Sequence, residues 1–137
     1  MTMSAMTNTA TSSTVTTPHA SRTLLVTGAL GGIGRAICHQ FAGQGDSVIV
    51  HDIRAESDTV VTRFVEELRQ AGAPVVHYFQ ADLKQISAID ALFADLREEG
   101  LRVDILVNNA GIQKTAPIQE FDAATWLDIL AINLTAG

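Results

Sequence analysis

The chain has 137 residues, 47% of them hydrophobic, and a formal net charge of −6 at pH 7. This length and composition suffice for a single domain with a buried core. The acidic balance and the absence of a Lys/Arg cluster argue against a nucleic-acid partner, because phosphate binding requires concentrated positive charge.

A reducing, cytoplasmic location is expected from the single cysteine, Cys38, which excludes a disulfide framework. The four histidines are scattered and lack the spacing of metal ligands, so no metal site is predicted. No apolar run reaches the roughly 18 residues of a membrane span, and no secretion signal opens the chain. We therefore expect a soluble protein without a membrane partner.

Residues 1–21 differ in composition from the rest of the chain. They are dominated by Thr, Ser and Ala and have no periodic large apolar residues. Such a segment buries too little surface to offset the entropy lost on ordering it. We predict a disordered tail, with a start codon assigned too far upstream as the alternative, followed by one domain over residues 22–137.

From Thr23 onward, short apolar segments alternate with segments of helical periodicity, which is typical of repeated βαβ units. Apolar, often β-branched runs predict four strands, at residues 23–27, 47–51, 74–79 and 104–107. Right-handed crossovers between such strands predict an α/β fold of the Rossmann type. The chain is expected to hold about four strands of a doubly wound parallel sheet, in the order 3-2-1-4.

Four helices are predicted between and after these strands. Asp58 or Ser57 is expected to cap the second helix, Ser87 the third and Asp122 the fourth, since short polar side chains accept hydrogen bonds from helix amides. The apolar residues expected on the buried faces are Ile33, Ile37 and Phe41 in the first helix, Val60, Val61, Phe64, Val65 and Leu68 in the second, Ile89, Leu92, Phe93 and Leu96 in the third, and Trp126, Leu127, Leu130 and Leu134 in the fourth.

The first strand runs directly into the glycine-rich stretch GALGGIG at residues 28–34, inside which the first helix begins. A dinucleotide site requires glycine at the sharp turn, at the approach to the pyrophosphate and at the contact of helix with strand. Gly28, Gly32 and Gly34 are predicted to fill these roles, with the pyrophosphate at the helix N-terminus. The alternative is a tight strand-to-helix turn without a ligand.

Asp52 follows the second strand, 18 residues after Gly34, which is near the spacing of about 20 expected for a ribose-binding acid. A carboxylate there accepts hydrogen bonds from a 2′-hydroxyl and repels a 2′-phosphate, so it favours NAD over NADP. An ordinary turn residue is the alternative. Arg54 keeps NADP open as the less favoured cofactor.

The stretch TGALGGIG, residues 27–34, resembles the turn of short-chain dehydrogenases/reductases and also that of their extended epimerase and dehydratase relatives. The stretch NNAG, Asn108–Gly111, resembles the shorter, oxidoreductase-type members and makes the extended branch unlikely. By this resemblance, Asn133 in LAINLTA holds a water in a proton relay. The resemblance also implies cofactor contacts from Thr27, Gly28, Gly32, Ile33, Gly34, Asp52, Asp82, Leu83, Asn109, Ala110 and Gly111.

Residues 107–121, VNNAGIQKTAPIQEF, look most like 3-hydroxybutyrate dehydrogenases, a resemblance that makes Gln113 a candidate ligand of a substrate carboxylate. A solvated loop amide is the alternative for Gln113. Lys114 is a candidate for attracting an anionic substrate, with a solvated surface lysine as its alternative. The implied substrate is a small molecule, such as a hydroxy acid.

The resemblance implies hydride transfer between a nicotinamide and an alcohol or ketone, with a Tyr and Lys as the acid/base pair and a Ser that orients the oxygen. The single tyrosine, Tyr78, is followed at the fourth position by Asp82 rather than Lys, so we expect this chain alone to be inactive. We also expect an open apolar edge at the fourth strand and a sticky or poorly folded polypeptide. A non-catalytic NAD-binding or interaction module is the alternative function, and a homo-oligomer is expected for the complete enzyme.

Overall fold

The computed structural model describes residues 20–137, so the predicted tail over residues 1–21 lies outside the described residues except for its last two. The strands are β1 (Thr23–Val26), β2 (Ser47–Asp52), β3 (Val76–Gln80) and β4 (Ile105–Val107). The helices are α1 (Gly32–Ala42), α2 (Thr59–Ala71), α3 (Ile86–Glu98) and α4 (Ala123–Leu130), with a 3-10 turn at Ile118–Glu120 and a π-helical segment at Ala131–Thr135.

The four strands form one parallel sheet in the order β3-β2-β1-β4, which confirms the predicted topology. β1 pairs with β2 on one side and with β4 on the other, so that Leu25 lies opposite both Ile49 and Leu106. Their carboxyl ends therefore meet at one edge of the sheet, where open α/β sheets bind ligands.

The core lies on both faces of the sheet, because successive side chains of a strand point in opposite directions. Leu24 and Val26 pack with Phe64 of α2 on one face, whereas Leu25 and Ile49 pack towards α3 on the other. Burial on both faces explains why β1 and β2 read as continuous apolar runs. Cys38 of α1 is fully buried, and burial raises the pKa of its thiol to about 12.

Two of the predicted helix caps are confirmed. The carboxylate of Asp58 accepts a hydrogen bond from the Val60 amide, and that of Asp122 accepts one from the Thr125 amide, both at 2.8 Å. The cap predicted at Ser87 is wrong, because α3 begins at Ile86 and its N-cap is Gln85, two residues before Ser87. The preceding turn is fixed instead by Asp82, whose carboxylate accepts from the Lys84 amide at 3.0 Å and whose carbonyl accepts from the Gln85 amide at 2.9 Å.

Several apolar residues predicted on buried helix faces are exposed. In α1, Ile33 lies in the first turn beyond the sheet and is 72% exposed, although Ile37 and Phe41 pack against the core. The buried stripe of α3 is narrow, with Leu92 and Leu96 inside and Phe93 exposed. Val60 in the first turn of α2 is also exposed. The whole face predicted for the fourth helix is exposed: Trp126, Leu127 and Leu130 in α4, and Leu134 in the π-helical segment.

Among residues 20–137, none of the helices combines the length and the apolar character that crossing a membrane would require.

Candidate functional site

A cleft of about 410 Å³ opens at the carboxyl edge of the sheet, beside the start of α1. We call it the main cleft. It contains ten of the eleven residues predicted to contact a cofactor, and its full lining is Gly28, Gly31, Gly32, Ile33, Gly34, His51, Asp52, Ile53, Ala81, Asp82, Leu83, Asn109, Ala110, Gly111, Ile112 and Ile132.

Close packing within the protein requires glycine at two positions of the β1–α1 turn. Gly28 has φ of 61°, and a Cβ on it would lie 2.8 Å from the Cα of Ala110. A Cβ on Gly34 would lie 2.6 Å from the carbonyl oxygen of Gly28 and 2.7 Å from the Cα of Ala29. All three distances are shorter than real Cβ atoms essentially ever show, so a larger residue at either position would force the turn apart.

Packing does not require glycine at position 32, since a Cβ there would meet no protein atom within 4 Å. Gly32 is the first residue of α1 and lines the main cleft. The helix has neither a side-chain hydrogen bond at its N-cap, Gly31, nor an acidic residue in its first turn. The first-turn amides thus leave a partial positive charge at open space, which suits an anionic group such as a phosphate.

Asp52 ends β2 and lies across the turn from α1. One carboxylate oxygen accepts a hydrogen bond from the Leu30 amide at 3.2 Å, and the other accepts from the Ile53 amide at 2.9 Å. These two bonds fix the side chain at the wall of the main cleft and leave further lone pairs on the carboxylate. A hydroxyl group in the cleft would find an oriented acceptor there.

Arg54 is held by an acid rather than left available to a ligand. Its guanidinium donates to Asp58 at 2.9 Å, four residues along the chain, and Arg54 does not line the main cleft. Asp58 therefore competes with any anion for this cation.

Thr27 was predicted to contact the cofactor, but it is buried behind the main cleft and does not line it. Its hydroxyl oxygen accepts from the amides of Asn109 and Ala110, both at 3.0 Å. The Asn109 side chain in turn donates to the carbonyls of Thr27 at 2.9 Å and Gly28 at 3.1 Å. Thr27 and Asn109 thus join the ends of β1 and β4 and hold the glycine turn in place.

A second cleft adjoins the main cleft on the β4 side and shares Gly111 and Ile112 with it. Its remaining lining residues are Gln113, Lys114, Phe121, Trp126, Ile129 and Asn133. The structure thus brings the predicted substrate residue Gln113 and the predicted relay residue Asn133 to one place.

The side-chain amide of Asn133 is engaged by the backbone of Ile112. Its oxygen accepts from the Ile112 amide at 2.9 Å and its nitrogen donates to the Ile112 carbonyl at 3.0 Å. The Asn133 side chain thus satisfies both backbone groups of Ile112, as a neighbouring strand would. It joins the π-helical segment to the loop after β4, and its oxygen and nitrogen are already engaged without a relay water.

Lys114 forms an ion pair with Asp122, with 2.6 Å between the ammonium and the carboxylate. Lys114, together with hydrogen bonds from Thr125, holds the pKa of Asp122 well below its usual range. The lysine therefore ties the loop to the start of α4, and its charge is already partnered, which weakens its predicted role of attracting an anionic substrate.

Tyr78, the chain's single tyrosine, is not arranged as an acid/base group. Its hydroxyl donates to the carbonyl of Arg54 at 2.6 Å. Burial, together with the charges of Asp52 and Asp58, raises its pKa to about 12. A tyrosine that exchanges protons during catalysis at neutral pH needs the opposite shift.

Six lining residues of the main cleft were not predicted to contact a ligand: Gly31, His51, Ile53, Ala81, Ile112 and Ile132. Most of them adjoin predicted site residues at strand ends, and the rule that ligands bind at the carboxyl edge would have found them. Ile132 reaches the cleft from the π-helical segment, and no pattern in the sequence indicates that.

A family model described as short chain dehydrogenase matches residues 22–137, the whole of the sheet and its helices. The chain belongs to the short chain dehydrogenase family. This confirms the resemblance first seen in the TGALGGIG and NNAG motifs. The family carries out oxidoreductase chemistry with nicotinamide cofactors, and the main cleft lies where its fold binds them.

Curated relatives of this chain have several different names. The chain is 38% identical to a D-beta-hydroxybutyrate dehydrogenase of Cupriavidus necator, over 85% of this chain and 43% of the relative. It is 36% identical to a 5-keto-D-gluconate 5-reductase of Escherichia coli, over 85% of this chain and 44% of the relative. The chain thus spans about two fifths of the length of the curated relatives that it matches.

Solved structures share the fold. An NADH-dependent reductase, A1-R', solved with NAD, is similar with a TM-score of 0.75 and 25% identity, over 85% of this chain and 47% of the other. A bulky-bulky ketone specific alcohol dehydrogenase from Comamonas testosteroni is similar with a TM-score of 0.73 and 27% identity, over 84% of this chain and 44% of the other.

Proposed function

We propose that this chain forms the nucleotide-binding half of an NAD-dependent oxidoreductase whose reaction is hydride transfer between a nicotinamide and an alcohol or ketone. The observation that carries the proposal is the juxtaposition of an uncapped helix start with an oriented carboxylate, Asp52, in the main cleft. The first suits a pyrophosphate and the second a ribose hydroxyl.

When bound, the nicotinamide cofactor would accept or supply the hydride. This chain's part would be to bind and orient it: the first-turn amides of α1 would hold the pyrophosphate, and the Asp52 carboxylate would accept from a ribose hydroxyl. Thr27 and Asn109 act behind the cleft by holding the turn. The acid/base groups are proposed to lie in the part of the relatives' length that this chain does not span, because Tyr78 does not suit the role.

The preference for NAD over NADP is proposed from local charge. A 2′-phosphate beside Asp52 would meet a carboxylate fixed by two backbone amides. The cation that could offset this repulsion, Arg54, is paired with Asp58. The guanidinium of Arg54 is thus shared with Asp58 and offsets the repulsion less, which makes NADP the weaker candidate.

A carboxylate-bearing substrate is proposed from the second cleft and the relatives. Gln113 lines that cleft and has an amide nitrogen to offer to a carboxylate. The names of the Cupriavidus and Escherichia relatives both point to substrates that are acids, hydroxybutyrate and ketogluconate. Within that class we favour 3-hydroxybutyrate and acetoacetate, because the loop after β4 resembles that of 3-hydroxybutyrate dehydrogenases. For Asn133 we propose a positioning role through Ile112.

The test is replacement of Asp52 by Ala, with NAD and NADP binding measured by titration calorimetry. We expect NAD affinity to fall about 10- to 100-fold, as for loss of hydrogen bonds to a charged group, while discrimination against NADP relaxes. Asp90→Ala, which removes an exposed carboxylate of α3 outside both clefts, is the matched control and should leave both affinities unchanged. Unaltered NAD affinity in Asp52→Ala would show that the ribose assignment is wrong.

A further inference from the structure

His51, the next-to-last residue of β2, is a buried polar residue at the main cleft that the proposed function does not use. It is 2% exposed and lines the cleft between Asp52 and Ala81. Its Nε2 lies 3.2 Å from the carbonyl oxygen of Ala81.

This contact determines which nitrogen of the His51 ring carries the proton. A carbonyl oxygen only accepts, so Nε2 must carry the proton. Nδ1 is buried and has no hydrogen-bond partner among the described residues. Burial also lowers the pKa of His51, which keeps the ring neutral. The bond to Ala81 is therefore the one polar contact of the ring that residues 20–137 supply.

The carbonyl of Ala81 needs this partner because it lies where the strand pairing stops. The last rung between β2 and β3 runs from the Ala81 amide to the Asp52 carbonyl, at 3.2 Å. The next rung would run from the Arg54 amide to the Ala81 carbonyl, because alternate residues of β2 bond β3, and this bond is not formed among the described residues. His51 thus takes the place of the missing backbone donor. Asp82 and Leu83, which follow directly, line the main cleft.

The position of this bond indicates which half of a dinucleotide depends on it. The carboxylate that distinguishes NAD from NADP faces the ribose of the adenosine half. Asp52 and Ile53 on β2, with Asp82 and Leu83 after β3, therefore border the adenosine half. The other half would lie on the β4 side, towards Ile112.

We propose that His51 is a positioning residue for adenosine: its imidazole holds the Ala81 carbonyl against β2 and so sets the separation between Asp52 and the Asp82–Leu83 wall. This inference rests on the proposed function. It predicts a selective effect on one half of the cofactor, which a residue that merely stabilised the fold would not have.

The test uses His51→Leu, which removes the donor while keeping an apolar side chain, and His51→Gln, whose amide nitrogen can replace Nε2. Binding of AMP and of nicotinamide mononucleotide is measured separately, and folding is checked by circular dichroism. In His51→Leu, AMP should bind about 5- to 10-fold more weakly, the loss expected of one hydrogen bond, while nicotinamide mononucleotide is unaffected. His51→Gln should restore AMP binding to within about twofold.

Equal AMP affinity in folded His51→Leu and wild type would overturn the inference and leave the proposed function standing. Equal weakening of both mononucleotides would overturn it as well, by indicating a general loss of stability. If His51→Leu does not fold, His51→Asn takes its place, because its shorter amide does not reach Ala81. Equal AMP binding by the Gln and Asn variants would then contradict the positioning role. A wild-type chain that binds neither AMP nor NAD would overturn the proposed function itself.

Discussion

At the scale of single residues, the glycines of the β1–α1 turn separate what the fold requires from what a ligand requires. Gly34 has backbone atoms within 2.7 Å of where a Cβ would stand, whereas Gly32 has no atom within 4 Å. The first is therefore constrained by packing. Packing does not require glycine at the second, which lines the main cleft, so we infer that a ligand in the cleft is the reason for glycine there.

This difference predicts opposite effects of the same substitution. Gly32→Ala should keep stability or raise it by up to about 1 kcal/mol, because alanine favours helix, while weakening NAD binding at least about tenfold through a methyl group in the cleft. Gly34→Ala should lower stability by about 1–3 kcal/mol, because the added methyl overpacks the turn. Urea unfolding and calorimetric titration measure the two effects.

Gly34→Ala serves as the control for Gly32→Ala, since both add one methyl group two residues apart in the same helix. Unchanged NAD affinity in a stable Gly32→Ala chain would mean that the pyrophosphate does not approach this residue.

At the scale of elements, the helices differ in how they are held. α1 and α2 bury residues such as Cys38 and Phe64 in the core, and α3 buries Leu92 and Leu96. α4 has no buried residue. Its attachment to the rest of the described chain includes the exposed ion pairs of Lys114 with Asp122 and of Lys84 with Asp128. Exposed pairs of this kind stabilise little.

We therefore predict that α4 opens locally while the sheet stays folded. Amide hydrogens of Ala123–Leu130 should exchange at least about 100-fold faster than those of β1, because local opening of a helix without buried residues costs far less than global unfolding. Hydrogen exchange followed by NMR or mass spectrometry measures this. The amides of α2, a capped helix with three buried residues, are the internal control and should exchange slowly. Protection of α4 equal to that of α2 would contradict the prediction.

At the scale of the whole molecule, one side of the sheet leaves apolar surface uncovered. β4 is the terminal strand of the sheet among the described residues, and Leu106 in it is 48% exposed. Trp126, Leu127 and Leu134, in the last helical segments of the chain, also expose more than half of their surface. Open strand edges and apolar patches of this kind promote association between chains.

The 137-residue chain is accordingly expected to self-associate. Sedimentation velocity should give a weight-average mass that rises with concentration over the micromolar range. Leu106→Lys places a charge in the edge strand and should shift the distribution towards monomer. Gln40→Lys adds the same charge at an exposed polar residue of α1 and should change little, because it removes no exposed apolar side chain. A wild-type chain that stays monomeric at every concentration would refute the expectation.

Much of the fold and part of the site could be predicted from local patterns. The four strands, the Asp58 and Asp122 caps and the position of Asp52 all follow from residues close in sequence. Helix burial was less predictable, since Ile33 and Phe93 fit the apolar period of their helices but lie where no element covers them. Periodicity tells which residues share a helix face, not how wide the covering surface is.

The sequence by itself determined the order of elements, the parallel sheet and the identity of the glycine turn, because each depends on propensity and spacing within about twenty residues. Only the tertiary structure decided that Thr27 bonds to Asn109, 82 residues away, and that His51 bonds to Ala81, 30 residues away. These partners are set by which strands the crossovers bring side by side and by where the ladder between them stops. Where it stops, a carbonyl without a strand partner must find a side chain, and no local pattern specifies which one.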